Sequence, residues 1–352
     1  MTVRVVHVPG RTPYASKIRD ENVHILNETT VDGREVPRDV TLSWLLDHRP
    51  WKWLDVIHIH HPDFESIPIL QQALTEASRA AKHVVFTAHD TTPVFGDRES
   101  HDDRIRLLAE KRALFVCLTR GAAREVSERW SPRAVLVPHG YVAEPAEHGR
   151  AQVREPGPTR FLLYGSLRAN RDIETVLHCW RFDRQLANTT IHLLLRAPSR
   201  ASLDAEAVAW RAILDHAADP RLLVDVRPFP TDAEVNQAVR EADCLLLPYR
   251  WASHSGQLEH AYDLGALPVA ARTGFLPDQV VHHRDRVNEP VWFDWSDGST
   301  YEYGARLLTA MRKAHHEIQD GWRPHDSVSF SRYRTEEHED IMADYREIYD
   351  GH

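Results

Sequence analysis

The sequence predicts an α/β protein made of two doubly wound halves, and three observations carry that prediction. Apolar runs of strand length alternate with helical stretches along most of the chain, which implies parallel pairing with right-handed crossovers. The alternation stops between Val142 and Pro158, in a run rich in Pro, Gly and charge, and restarts after it. A chain of 352 residues is long enough for two domains, each burying its own core. The expected ligand site is a cleft between the two halves.

In the first half, Val3 to Val8 is a β-branched run ending at Pro9-Gly10, a loop at the carboxyl end of the first strand. Leu54 to His60 and Lys82 to His89 read as the next clear strands. Between them Ser66 caps a helix whose Leu70, Ala73, Leu74, Ala77 and Ala81 follow helical spacing. Strands at Ala113 to Leu118 and Ala134 to Val137 flank a helix from about Gly121 to Trp130. The second half opens with a strand from Arg160 to Tyr164, a helix from Asp172 to Trp180 and a strand from Thr190 to Leu195. A long helix from about Asp204 to Asp215 and a strand from Leu222 to Val226 follow, and Thr231 and Glu234 form a capping box. Cys244 to Leu247 and Leu267 to Ala271 are buried strands around a short helix, Gln257 to Leu264, closed by Gly265. Two helices, about Thr300 to Ile318 and Thr335 to Tyr349, end the chain.

Composition narrows the class. With 42% hydrophobic and 27% charged residues the chain reads as a soluble globular protein. Its formal charge, 43 − 52 = −9, argues against a general nucleic-acid surface. No apolar run approaches the ~18 residues of a membrane span, and no apolar signal-type region follows Met1. Cys117, Cys179 and Cys244 lack CxxC spacing and are expected as reduced packing residues of a cytoplasmic protein.

Two loops stand out in the second half. Gly165-Ser166-Leu-Arg168-Ala-Asn-Arg171 follows a strand and precedes a helix, so it places two guanidinium groups at a strand's carboxyl end, where doubly wound proteins bind ligands. Arginine holds phosphate oxygens with two bonds at once; the alternative is a pair of solvated arginines. The loop before Gln257 ends in Ser255-Gly256, which would offer helix N-terminal N–H groups to an anion; the alternative is an ordinary N-cap. Both loops lie at carboxyl strand ends of one half and can converge.

The chain holds 23 histidines, so most carry no function. His58 and His60 share one strand face and with His61 invite a metal reading, but no Cys or carboxylate stands at a familiar ligand spacing, and no metal site is expected. His89-Asp90 ends an apolar strand at the edge where ligands bind. The pair is either a hydrogen-bonded strand terminus or a group that meets substrate. His139-Gly140 is a weaker case of the same kind.

Six segments then resemble, in order, the GT-B glycosyltransferases of family 4. DVIHIHHPD (Asp55 to Asp63), VVFTAHDTTP (Val84 to Pro93) and VLVPHG (Val135 to Gly140) resemble strand motifs of their first domain. FLLYGSLRANRDI (Phe161 to Ile173) and LLLPYRWASHSGQ (Leu245 to Gln257) resemble their diphosphate loop and their Ser-Gly loop, and the first-strand Pro9-Gly10 resembles their glycine loop. The resemblance implies two Rossmann-like domains facing each other across a cleft: residues 1–150 on the acceptor side, 158–326 binding the nucleotide sugar, and a C-terminal helix within 327–352 crossing back onto the first domain.

By the same resemblance, Arg168 and Arg171 hold the diphosphate of a nucleotide sugar, with Gly165, Ser166, Tyr249, Ser255, Gly256 and Gln257 around it. Gly10 approaches the phosphates and the acceptor, and His89 contacts the transferred sugar. The chain departs from the family at three places. The return strand reads Gly265-Ala266-Leu267-Pro268, one residue longer than the usual Gly-x-Pro, which leaves the register of the preceding helix open. Lysine is usual where Arg171 stands, and the glutamate that binds the ribose in the family is replaced by His260, preceded by Glu259. Either Glu259 or His260 takes that role, or the donor differs.

The implied reaction is transfer of a hexose-type sugar from a nucleoside diphosphate, UDP favoured, to an acceptor hydroxyl or amine. Retention is expected, without metal or other cofactor, since Arg168, Arg171 and the helix N-terminus supply positive potential to the leaving group. His89 then positions and polarises; an inverting reaction would make Asp90 or His89 the base. The alternatives are a sugar phosphorylase or epimerase on the same plan, and a non-catalytic nucleotide- or glycan-binding scaffold. Trp44, Trp51 and Trp53, although three tryptophans near a strand are more often core, and the loop Thr91 to Asp103 are expected to shape a soluble acceptor's site. Whether the protein is a monomer or a homodimer stays open.

Overall fold

Aliphatic and β-branched runs separated by amphipathic helices give two six-stranded parallel sheets in a computed structural model. The structure describes residues 2–10, 12–94, 96–130, 133–148, 157–294 and 300–351. Residues 149–156 of the expected linker therefore lie outside the described residues. The chain divides into one unit of Met1–Gly140 with Glu336–His352 and a second of Tyr141–Thr335.

The first unit contains strands β1 (Val3–Val8), β2 (Val23–Ile25), a small antiparallel hairpin β3 (Thr30–Val31) and β4 (Arg34–Glu35), then β5 (Val56–Ile59), β6 (His83–Ala88), β7 (Leu114–Cys117) and β8 (Ala134–Leu136). Its sheet runs β2-β1-β5-β6-β7-β8, with His7 paired opposite His58. The helices are α1 (Pro13–Ser16), α2 (Leu42–His48), α3 (Ile67–Arg79), α4 (Arg98–Glu110) and α5 (Arg120–Arg129). Ser66 caps α3 by accepting from the Ile69 N–H. Asp97 caps α4 through the Ser100 N–H at 2.8 Å, so the expected loop Thr91 to Asp103 ends at Asp97 and Asp103 is helical. Val5, Val56, Val85 and Val116 build one core face, on which Ile341, Met342, Tyr345, Ile348 and Tyr349 lie buried at helical spacing.

The second unit contains β9 (Thr159–Gly165), β10 (Thr189–Arg196), β11 (Leu222–Arg227), β12 (Cys244–Leu247), β13 (Leu267–Ala271) and β14 (Val291–Phe293), in the order β11-β10-β9-β12-β13-β14. Its helices are α6 (Ile173–Phe182), α7 (Arg200–Ala205), α8 (Ala207–His216), α9 (Asp232–Glu241), α10 (Gly256–Leu264), α11 (Leu276–His282) and α12 (Thr300–Gln319). Both sheet faces are covered, as an all-parallel sheet requires. Phe161, Leu163, Cys244 and Leu246 pack into one core, while Leu162, Leu245 and Leu247 pack into the other. The final helix, α13 (Ser327–Asp350), starts eight residues ahead of the expected Thr335, because Asp326 accepts from the Ser329 N–H and so caps it. The single helix expected from Asp204 to Asp215 is broken at Glu206, whose φ of −112° and ψ of 34° are non-helical.

Candidate functional site

The two loops singled out in the second unit are stitched together. Asn170 Nδ2 donates to the Trp251 carbonyl at 3.1 Å, and the Arg250 N–H returns a bond to the Asn170 carbonyl at 2.8 Å. The Asp172 N–H reaches the Pro248 carbonyl at 2.9 Å, and Arg171 and Tyr249 form an isolated β-bridge. Asp172 caps α6 through Thr175, with its N–H at 3.0 Å and its hydroxyl at 2.8 Å. The carboxyl ends of β9 and β12 thus carry one assembled surface made of Gly165, Ser166, Arg168, Arg171, Tyr249, Ser255, Gly256 and Gln257.

Within it the arginines differ. Arg168 is half-buried on the loop. Arg171 is 7% exposed, and its Nη1 donates to the carbonyls of Tyr164 at 2.7 Å and Ser166 at 3.4 Å. Gly165 makes this possible. Its φ is +113°, and a Cβ there would stand 2.5 Å from Arg171 Nη1. At the other loop, Ser255 Oγ accepts from the Leu258 N–H at 3.2 Å as the N-cap of α10. The cap serves the third helical residue; the Gly256 and Gln257 N–H groups have no intrahelical acceptor. The Gln257 side chain ties the loops, donating to the Tyr164 carbonyl at 2.8 Å and accepting from the Tyr249 hydroxyl at 2.9 Å.

Glu259 and His260 are not brought into that surface. Glu259 is 2% exposed, and its carboxylate accepts from Gln279 Nε2 at 2.7 Å and from Arg334 Nη2 at 2.9 Å, with His283 Nε2 at 2.7 Å. Arg334, itself fully buried, also reaches Asp263 at 2.9 Å. His260 spends both ring nitrogens, Nδ1 on the Tyr164 hydroxyl and Nε2 on Asn236 Oδ1, each at 2.8 Å. Burial lowers its pKa to about 4, so the ring is neutral. In this arrangement both side chains are buried and engaged with protein partners. The sequence offered no signal for it, since Arg334 lies 75 residues from Glu259.

In the first unit His89 directly follows β6 and is 8% exposed. Its ring stacks on His61 with centroids 5.0 Å apart, and the Tyr14 ring meets it edge-on at 5.0 Å. Asp90 follows it, half-buried. Gly10 is in close contact with its own unit: a Cβ would lie 2.1 Å from the Arg38 carbonyl oxygen and 2.3 Å from Asn27 Nδ2. Asn27 holds that turn by bonding the His7 backbone on both sides, at 2.9 and 3.0 Å. Trp44, Trp51 and Trp53 are half-buried, neither core nor fully open; Trp44 stacks on His48 at 4.4 Å and the Arg34 guanidinium lies 5.6 Å from the Trp53 ring.

Beneath His89 lies a histidine cluster that the strand pattern announced only in part. His7, His58 and His60 are buried and offer nitrogens within 4.8 Å of one another, the one such group in this unit among the described residues that could hold a metal. Their nitrogens are largely engaged. His58 meets the Tyr349 and Thr87 hydroxyls at 2.7 Å each, and His60 meets His7 at 2.8 Å and His89 at 3.2 Å. Desolvation lowers the pKa of all three, to about 3 for His7, so they are neutral. Tyr14, whose hydroxyl meets that of Tyr345 at 2.7 Å, and Lys17, which donates to the His139 carbonyl, complete the surroundings.

No family model and no curated protein matches the sequence. Solved structures do match over nearly the whole chain. A sucrose-phosphate synthase from Thermosynechococcus elongatus is 11% identical with a TM-score of 0.65, covering 99% of this chain and 98% of its own. The E. coli trehalose-6-phosphate protein bound with UDP-2-fluoro glucose is 11% identical with a TM-score of 0.62, covering 99% of each chain. HepE from Anabaena, in complex with UDP, is 11% identical with a TM-score of 0.56, covering 96% of this chain and 99% of its own. The chain therefore has the GT-B fold of these structures.

Proposed function

We propose that this protein transfers a hexose-type sugar from a nucleoside-diphosphate sugar, UDP favoured, to an acceptor hydroxyl or amine, with retention and without a metal. One observation carries the reading. The loops after β9 and β12 are bonded into a single surface that carries Arg168 and the N-terminal N–H groups of α10, with the buried Arg171 bracing the turn. A diphosphate leaving group needs stabilisation of charge on its oxygens, and preorganised donors and guanidinium groups supply it without reorganisation. UDP in HepE and UDP-2-fluoro glucose in the E. coli structure support the choice of nucleotide.

Gly256 and Gln257 contribute backbone donors, whereas the expected Ser255 N–H is spent on Gln279 Oε1 at 2.8 Å and Ser255 serves as the cap. The Gln257 side chain and Tyr249 hold the turn in place, and Arg168 makes the direct contact. Arg171 fixes the turn through Tyr164 and Ser166 and adds its charge. His89 serves the transferred sugar. In a front-face retaining reaction the leaving oxygen accepts the acceptor's proton, so His89 is a polarising group. The test is release of UDP from a panel of UDP-sugars, with and without EDTA, with the anomeric coupling of the product reading retention. Release that disappears in EDTA, or an inverted product, removes the corresponding part of the proposal. Release that depends on inorganic phosphate transfers the reading to a phosphorylase.

A further inference from the structure

We infer that His7 and His60 are positioning residues that lock His89 into one neutral tautomer, with its proton on Nδ1, so that His89 acts as a hydrogen-bond donor and not as a base. The inference deepens the proposed function and, for its catalytic consequence, rests on it.

The three side chains form a chain of hydrogen bonds across three neighbouring strand ends. His7 Nδ1 meets His60 Nε2 at 2.8 Å, and His60 Nδ1 meets His89 Nε2 at 3.2 Å. A neutral imidazole has one donor and one acceptor nitrogen, so each link fixes the next. Only two polarities exist. In the first, His7 Nδ1–H donates to His60, His60 Nδ1–H donates to His89 Nε2, and the His89 proton stands on Nδ1. In the second, every proton is reversed: His89 donates from Nε2, His60 from Nε2, and His7 carries its proton on Nε2.

The far end of the chain decides between them. His7 is 1% exposed and its Nε2 has no hydrogen-bond partner among the described residues. The first polarity leaves an unused lone pair there; the second buries an N–H with no acceptor. Orphaned buried N–H groups are the rarer and costlier defect. His58 offers no relief, since Tyr349 and Thr87 take both of its nitrogens. The burial of the cluster keeps its rings neutral, in agreement with this count. His61 stacked at 22° and Tyr14 set edge-on at 88° fix the plane of the His89 ring. No proton moves along the chain, because among the described residues His7 Nε2 has no group to pass it to or receive it from. Protonating His89 Nε2 would require reversing all three residues at once.

The test is ¹⁵N NMR of the full-length protein labelled at histidine, with signals assigned by single substitutions. The expected result is that His7, His60 and His89 all appear as the Nδ1–H tautomer, the minor form of free histidine. His60→Asn keeps an N–H near the position of Nδ1 and should leave His89 as Nδ1–H; His60→Leu should release it to a mixture. With UDP-sugar turnover as a second readout, His60→Leu should lower kcat about tenfold, the worth of one misplaced hydrogen bond, with KM for the donor nearly unchanged, and His60→Asn should recover most of it. A His89 signal reporting Nε2–H, or stoichiometric zinc in the isolated protein on the His7, His58 and His60 nitrogens, overturns the inference. If the wild type turns over no nucleotide sugar, the proposed function fails, while the tautomer measurement still decides the lock.

Discussion

Arg334 Nη2 lies 2.9 Å from Glu259 Oε2, and neither side chain is more than 3% exposed. The same guanidinium holds Asp263 at 2.9 Å, and His283 closes on Glu259 at 2.7 Å. Breaking a buried pair from one side leaves uncompensated charge. Arg334→Leu should therefore destabilise the second unit by about 3–5 kcal/mol. Adding Glu259→Gln should return part of that loss, because one stranded carboxylate disappears. Urea denaturation of the single and double variants checks both statements, and an additive double variant would show that the pair is not coupled.

Nucleotide binding should depend on Arg168. Wild type with UDP at about 100 times its dissociation constant should gain about 2.7 kcal/mol of stability, visible as a rise in Tm that EDTA leaves unchanged. Arg168→Ala should show no rise at the same concentration. No shift with UDP, GDP, ADP or dTDP on the wild type would leave the scaffold reading as the better account.

Gly165→Ala should both destabilise and impair binding. The φ of +113° is strained for any residue with a Cβ, and that Cβ would displace Arg171 Nη1 from 2.5 Å. A cost of about 1–3 kcal/mol is expected. Gly33→Ala is the control: its φ is +75° and nothing lies within 4 Å of the added Cβ. Thermal shifts of the two variants separate backbone strain from the displaced arginine, because only Gly165→Ala should lose the response to UDP.

His260 makes stability depend on mild acid. Its pKa falls from 6.5 to about 4 on folding, with burial as the main cause. The unfolded chain therefore binds a proton that the folded chain refuses, and stability rises with pH where that difference exists. The contribution is complete above pH 6.5 and is lost as pH falls towards about 4, a total of about 3 kcal/mol. His260→Gln, which keeps polar contacts to Tyr164 and Asn236, should flatten the slope of urea stability over that window by close to one proton. An unchanged slope would assign the titration to other histidines.

Local pattern and local chemistry made the frame of this fold legible. The strands Val3–Val8, Cys244–Leu247 and Leu267–Ala271 fall where the apolar runs placed them, and the Thr231 capping box and the Ser66 cap follow from residues three apart. The convergence of the Arg168 and Ser255 loops was also readable, since parallel strands send both loops to the same edge. The α4 helix was not, because Arg98–Glu110 is too polar to show an apolar stripe. The environments of Glu259 and His260 were hidden for another reason. Arg334, His283, Asn236 and Tyr164 reach them from distant segments, and no periodicity in the sequence encodes such pairings. His7 was missed likewise: the pattern showed His58 and His60 on one strand, but only the β1–β5 register sets His7 opposite His58.

Arg171 turned onto the carbonyls of Tyr164 and Ser166 has a consequence for how a ligand is chosen. The loop's shape is held by bonds that exist before anything binds. The entropy of ordering it is spent during folding, so association carries little of that cost. A scaffold set in advance favours ligands whose charged oxygens already match its spacing, and it cannot remould itself around those that do not. Discrimination among anions at this edge then becomes a property of rigidity, with the arginine's distance from solvent as its source.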